Sequence, residues 1–247
     1  MARETPLLLL HGFGASSAIW RPTTAVLGDR RCVAFDWPGF GGRGGEPPCR
    51  GLEGFAAEAL RQADRLGLAR FDVLGHSMAG FVAQELLRTH PERVRRAVLY
   101  GAGLRIDPRR RFEPAERTIA RLREEGVERC VHRVLAAWFA RGADDPNHAA
   151  CVEDGRRMSE QAGIAAIEAM QRADFTGRLD GVTAPVLVIL GEHDHSHPPE
   201  AALALRQAIP GASFCVLPGC GHAAHLERAA WFNTIVADFL DGPQAAY

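Results

Sequence analysis

Lysine is absent from this chain: all 29 basic side chains are arginine. That excludes a lysine nucleophile or Schiff base. The six cysteines (Cys32, Cys49, Cys130, Cys151, Cys215 and Cys220) contain no C-x-x-C pair, so neither a zinc site nor a disulfide framework is indicated. They read as the reduced thiols of a cytoplasmic protein. The first residues have no signal-peptide shape, and the apolar run at residues 7–10 is far too short to span a membrane. Neither sign of charge is in excess, since 29 basic residues face 30 acidic ones. A formal net charge of −1 argues against nucleic acid or an anionic membrane as the main partner. No internal repeat or low-complexity tract is present.

What remains is an ordinary globular composition, 47% hydrophobic and 24% charged over 247 residues. That length suits one large α/β domain, or a domain carrying an insertion. Continuous apolar runs at 6–10, 31–36, 71–75, 96–100, 185–191 and 213–217 read as strands covered on both faces. Helical spacing occupies 17–27, 52–66, 78–89, 199–208 and 225–240. The alternation predicts a doubly wound, mostly parallel sheet. Between residues 105 and 177 no strand signal occurs, and the segment is helical and arginine-rich. It is too long for a loop. The expected organisation is therefore a core of 1–104 and 178–247 with a helical insertion at 105–177.

The richest stretch is Gly75-His76-Ser77-Met78-Ala79-Gly80, set between a strand and a helix. That context suits a nucleophile elbow, a tight turn that projects the serine hydroxyl above the sheet. Met78, at the helix N-terminus, has an N–H available to an oxyanion. A serine hydroxyl also needs a base, and an acid to orient that base. Asp194 follows the 185–191 strand in Gly191-Glu192-His193-Asp194, and His222 follows the last strand in Gly221-His222. Both fall at the strand ends where Ser77 lies, the edge at which open α/β sheets build sites. Glu192 and Asp174 compete with Asp194, and His225 competes with His222. The alternative acid position after the 96–100 strand reads Gly101-Ala102-Gly103 and holds no carboxylate.

With His11-Gly12-Phe13-Gly14 and Glu227, these motifs resemble the α/β-hydrolase superfamily over nearly the whole chain. The resemblance implies Ser77 as nucleophile, Asp194 as acid and His222 as base. It also implies oxyanion donors on the main-chain N–H groups of Phe13 and Met78, and a cap formed by the helical insertion. Within the cap, Val134-Leu135-Ala136-Ala137-Trp138-Phe139, Ala162-Gly163-Ile164-Ala165-Ala166-Ile167 and Arg172-Ala173-Asp174-Phe175 resemble the 3-oxoadipate enol-lactonase group and its esterase neighbours. That implies hydrolysis of a small lactone or ester bearing a carboxylate; no cofactor and no metal are expected. Two features depart from the family pattern. The chain starts at the strand that normally follows an N-terminal β-hairpin, and Ala79 stands where the elbow's last glycine is usual.

Other residues have plainer expected roles. His76 is expected to point away from the site in a structural role, and His11 to hydrogen-bond nearby loops. The His193-Asp194-His195-Ser196-His197 tract lacks the converging geometry of a metal site. Gly39-Phe40-Gly41-Gly42-Arg43-Gly44-Gly45 reads as a flexible loop at a pocket rim, since a phosphate loop would continue into Lys-Ser/Thr and a helix. Arg105, Arg109, Arg110 and Arg111 read as a solvated run, with carboxylate binding as the alternative. Trp138 and Phe139 divide between core and pocket lining. A carbon–carbon bond hydrolase with the same triad, and a non-catalytic receptor on the same fold, stand as the alternative functions.

Overall fold

The computed structural model describes residues 3–107 and 113–242. β1 (Arg3–Leu10) is followed by a 3-10 turn at Ser17–Trp20 and by α1 (Arg21–Val26). The single helix expected over 17–27 is split there. Pro22 has no N–H to donate to the preceding turn, so the chain re-enters helix around it. β2 (Arg30–Ala34), α2 (Gly51–Arg65), β3 (Phe71–His76), α3 (Met78–Thr89) and β4 (Val94–Tyr100) continue the alternation. Four helices then intervene: α4 (Ala115–Glu125), α5 (Val127–Ala136), α6 (His148–Gly155) and α7 (Glu160–Arg172). The chain returns through β5 (Val186–Gly191), α8 (Pro199–Ala208) and β6 (Ser213–Leu217), and closes with α9 (Ala224–Glu227) and α10 (Ala229–Asp241). The last two were expected as one helix. They separate at Arg228, whose φ of −132° and ψ of 45° leave the helical region.

The six strands form one sheet in the order β2-β1-β3-β4-β5-β6, and every pairing is parallel. Leu7, Leu8, Leu9 and Leu10 of β1 are fully buried, as a strand covered on both faces demands. Each such leucine contributes about 2 kcal/mol of apolar burial. The chain steps from β1 outward to β2, then back across β1 to β3. That reversal opens a crevice beyond the carboxyl ends of β1 and β3, and Leu10 pairs with Gly75 there. The loops carrying Phe13 and Ser77 therefore leave the sheet side by side.

The inserted helices are fastened to this edge by main-chain bonds. At their root, the Phe175 N–H donates to the Leu104 carbonyl at 3.0 Å, and Arg105 bridges Asp174 in antiparallel fashion. The Ser159 N–H donates to the Gly39 carbonyl at 2.8 Å, and the Ala223 N–H to the Trp138 carbonyl at 2.9 Å. The glycine-rich loop thus differs from its expected flexible character. It is a seat for the start of α7, held from below by Asp36, which accepts the Gly42 and Ser17 N–H groups at 2.7 Å each.

Candidate active site

Ser77 is the one non-glycine residue with positive φ among the described residues, at φ 57° and ψ −117°. Such a backbone stores about 1–3 kcal/mol of strain and persists only where neighbours enforce it. Here β4 does so. His76 pairs with Tyr100, and the Ser77 N–H donates to the Tyr100 carbonyl at 2.8 Å. The close approach between turn and sheet falls at Gly80, where a Cβ would lie 2.5 Å from the Ala102 Cβ. The glycine therefore matters one position later than the usual elbow pattern, and Ala79 is accommodated as a buried methyl.

Asp194 and His222 meet beside His76, the residue before the serine. Asp194 Oδ2 lies 2.7 Å from His222 Nδ1, and both side chains are wholly buried. Asp194 Oδ1 accepts the main-chain N–H groups of Ser196 and His197 at 2.8 Å each. Burial is the largest single influence on this carboxyl and would raise it. The facing His222 and the neighbouring His197 outweigh that and hold it below the ordinary carboxylate range. An ionised Asp194 assigns the His222 proton to Nδ1 and leaves Nε2 as the basic nitrogen. Nε2 is buried and has no hydrogen-bond partner among the described residues, Ser77 included. That contact is often long in unliganded enzymes and tightens with substrate.

Gly101 makes room for the pair. A Cβ there would lie 2.9 Å from His222 Cε1 and 3.5 Å from Asp194 Oδ2, and its φ of +58° favours glycine. The alternative acid position read in the sequence is occupied by the pair itself. The competing carboxylates lie elsewhere: Asp174 is half exposed beside Arg105, and Glu192 accepts the Gly219 N–H. His225 is buried against Trp20 and bonded to the Tyr100 hydroxyl. His76 departs from its expected outward direction. Its Nε2 lies 3.1 Å from the His222 carbonyl, and its ring centroid lies 4.6 Å from that of His222. His11 donates from Nδ1 to the Gly12 carbonyl and accepts the Trp37 N–H at Nε2.

A cavity of about 30 Å³ opens over Ser77. Phe13, Val134, Trp138, Ile167 and Met170 supply apolar walls, and Thr118, Ser196 and His197 add polar atoms. Trp138 is both buried and part of this lining. Phe139 does not line the cavity; it is buried beneath, its ring 6.2 Å from that of His148, because it follows Trp138 at a helix end and faces the opposite side. His197 is a site residue that composition did not suggest. Its ring stacks 5.8 Å from His222, brought there by the turn that wraps Asp194. The only available signal was its position three residues after the acid. Arg105 is largely exposed, and Arg109, Arg110 and Arg111 lie outside the described residues. Among the described residues no group of three or more His, Cys, Asp or Glu is placed to hold a metal, and no helix is long and apolar enough to cross a membrane.

Known proteins resemble this chain in sequence and fold. The profile of the alpha/beta hydrolase family matches residues 7–235. RutD of Agrobacterium fabrum, whose name proposes carbamate hydrolysis for it, is 30% identical, with 96% of this chain and 94% of RutD covered. A 2-hydroxy-6-oxononadienedioate/2-hydroxy-6-oxononatrienedioate hydrolase of Dechloromonas aromatica is 28% identical over 95% of this chain and 86% of its own length. Among solved structures, the enol-lactonase of Burkholderia xenovorans superposes with a TM-score of 0.87 at 27% identity, covering 96% of this chain and 92% of that one. Fold, strained serine and extent of similarity agree: this chain belongs to the alpha/beta hydrolase family.

Proposed function

We propose that this hydrolase cleaves a small carboxylic ester or lactone through an acyl-enzyme formed on Ser77. What supports this reading is a strained, cavity-facing Ser77 together with a buried Asp194–His222 pair whose imidazole packs against His76, the residue before the serine. His222 Nε2 takes the Ser77 proton as Oγ bonds to the substrate carbonyl carbon. The N–H groups of Phe13 and Met78 face the resulting oxyanion, Met78 from the first turn of α3, where helix donors lack internal acceptors. Protonated His222 then gives its proton to the leaving oxygen. Water repeats the cycle with His222 as base, and Ser77 is released. Asp194 keeps the ring in the tautomer that makes this possible. Residues 105–177 act as the cap, and no cofactor takes part.

The absence of any Asp, Glu or Arg side chain from the cavity's lining among the described residues supports an uncharged acyl group. Carbamate cleavage would use the same steps, and RutD's name favours it as a second substrate class. A panel of aryl esters, lactones, carbamates and vinylogous diketones would rank these and separate carbon–carbon cleavage from acyl transfer. Ser77→Ala is expected to lower turnover on the best substrate on the order of 10⁴-fold or more. Wild-type turnover in that variant would overturn the proposal. Failure of the wild-type enzyme to react with a fluorophosphonate would point instead to a receptor on this fold.

A further inference from the structure

Nothing in the catalytic cycle explains why the chain places a buried tyrosine hydroxyl beneath the base. Tyr100 ends β4 and is fully buried. Its main-chain carbonyl holds the Ser77 N–H at 2.8 Å. Its hydroxyl lies 2.6 Å from the His222 carbonyl, 3.1 Å from His225 Nδ1 and 3.2 Å from the His225 main-chain nitrogen. A phenol has one proton to give. The His222 carbonyl can only accept, so it takes that proton, and both His225 nitrogens donate to the phenol oxygen. His225 is thereby held as the Nδ1–H tautomer. A second donor, His76 Nε2, reaches the same His222 carbonyl at 3.1 Å.

Resting on the hydrolase mechanism above, we infer that Tyr100 and His76 are positioning residues that clamp the His222 main chain and so fix Nε2 over Ser77. One residue, Tyr100, ties the nucleophile through its backbone and the base through its side chain. These two groups otherwise come from loops far apart in sequence. Neither Tyr100 nor His76 lines the cavity, so the clamp acts on the chemical step and leaves substrate binding alone. Burial holds the Tyr100 hydroxyl well above the ordinary phenol range, which keeps it a donor at working pH.

Tyr100→Phe tests this directly, because it deletes the hydroxyl and keeps the ring. Misplacing a catalytic group slightly costs on the order of 10²-fold in rate, so kcat and the rate of fluorophosphonate labelling should fall about 10- to 100-fold with KM unchanged. Val98→Ala, a core change elsewhere in β4, should lower Tm and leave kcat at the wild-type value. His76 gives an independent arm should Tyr100→Phe not fold. His76→Leu should lower kcat, and His76→Gln, which keeps a donor at about the Nε2 position, should restore it. Tyr100→Phe with wild-type kcat and only a lowered Tm, or His76→Gln no better than His76→Leu, overturns the inference. Ser77→Ala in the same assay separates the two levels: an active Ser77→Ala removes the hydrolase mechanism and the clamp with it, whereas an inactive one beside a fully active Tyr100→Phe removes the clamp alone.

Discussion

Glu227 accepts the Gly221 N–H at 2.7 Å, one residue before His222, while its other oxygen accepts the Ala140 N–H at 2.9 Å. One carboxylate therefore joins the loop of the base to the loop that follows α5. Glu227→Gln leaves a single acceptor oxygen for two donors. We expect a loss of about 1–3 kcal/mol in stability, read as a lower midpoint in urea, together with a reduced kcat.

Gly101 is the position at which a single methyl should be felt most. Gly101→Ala would press on His222 and occupy a backbone region that favours glycine. Turnover is expected to fall about 100-fold, because the ring must move from its place against Asp194. Circular dichroism should still show a folded protein, and labelling of Ser77 by a fluorophosphonate should slow in parallel with turnover.

Acid should weaken the fold through its buried histidines. Burial lowers His11 from 6.5 to about 4, against the smaller opposing effect of its bond to the Gly12 carbonyl. Above pH 6.5 neither folded nor unfolded chain protonates this ring. Below it the unfolded chain binds a proton that the folded one refuses, so stability falls until about pH 4. The difference amounts to about 3 kcal/mol. His225, lowered to about 3, and His76 act in the same direction. His11→Gln cannot titrate, and its denaturation midpoint should vary less than that of the wild type between pH 6.5 and pH 4.

Asp194→Asn should preserve the fold's outline and remove the tautomer control of His222. Loss of the orienting carboxylate in such triads costs on the order of 10⁴-fold in kcat. Steady-state rates on an activated ester measure this, and KM should stay near its original value.

The cavity over Ser77 is walled largely by apolar side chains, and these walls set acyl length. Ile167→Ala should raise kcat/KM for longer acyl chains over acetyl by about 10-fold, the range that one or two methylenes command in an apolar pocket. A series of p-nitrophenyl esters of increasing chain length checks the ratio.

The strands were legible because a parallel sheet covered on both faces writes itself as unbroken apolar runs, as in Leu7–Leu10 and Val186–Leu190. Ser77, Asp194 and His222 stood out as candidates for the proposed serine, acid and base because each follows such a run. Tyr100, Gly101 and His197 did not, since their importance depends on which strand ends are neighbours in space and on how a turn folds back. His76 misled for the same reason: a residue beside the nucleophile gives no hint that its ring will stack against a loop lying 146 positions away. The glycine-rich loop read as flexible because composition reports freedom in the unfolded chain, and the seat it forms for α7 is a property of the packed one.

The hydrogen bond between Leu104 and Phe175 has an evolutionary consequence. The chain leaves the sheet and rejoins it at adjacent points, so everything between can be replaced without re-threading a strand or shifting the β4–β5 register. On the proposed reading of residues 105–177 as a cap, selection can exchange the roof over Ser77 as a cassette while the proposed reacting atoms stay on the sheet's edge, so that one scaffold diversifies its substrates and keeps its chemistry.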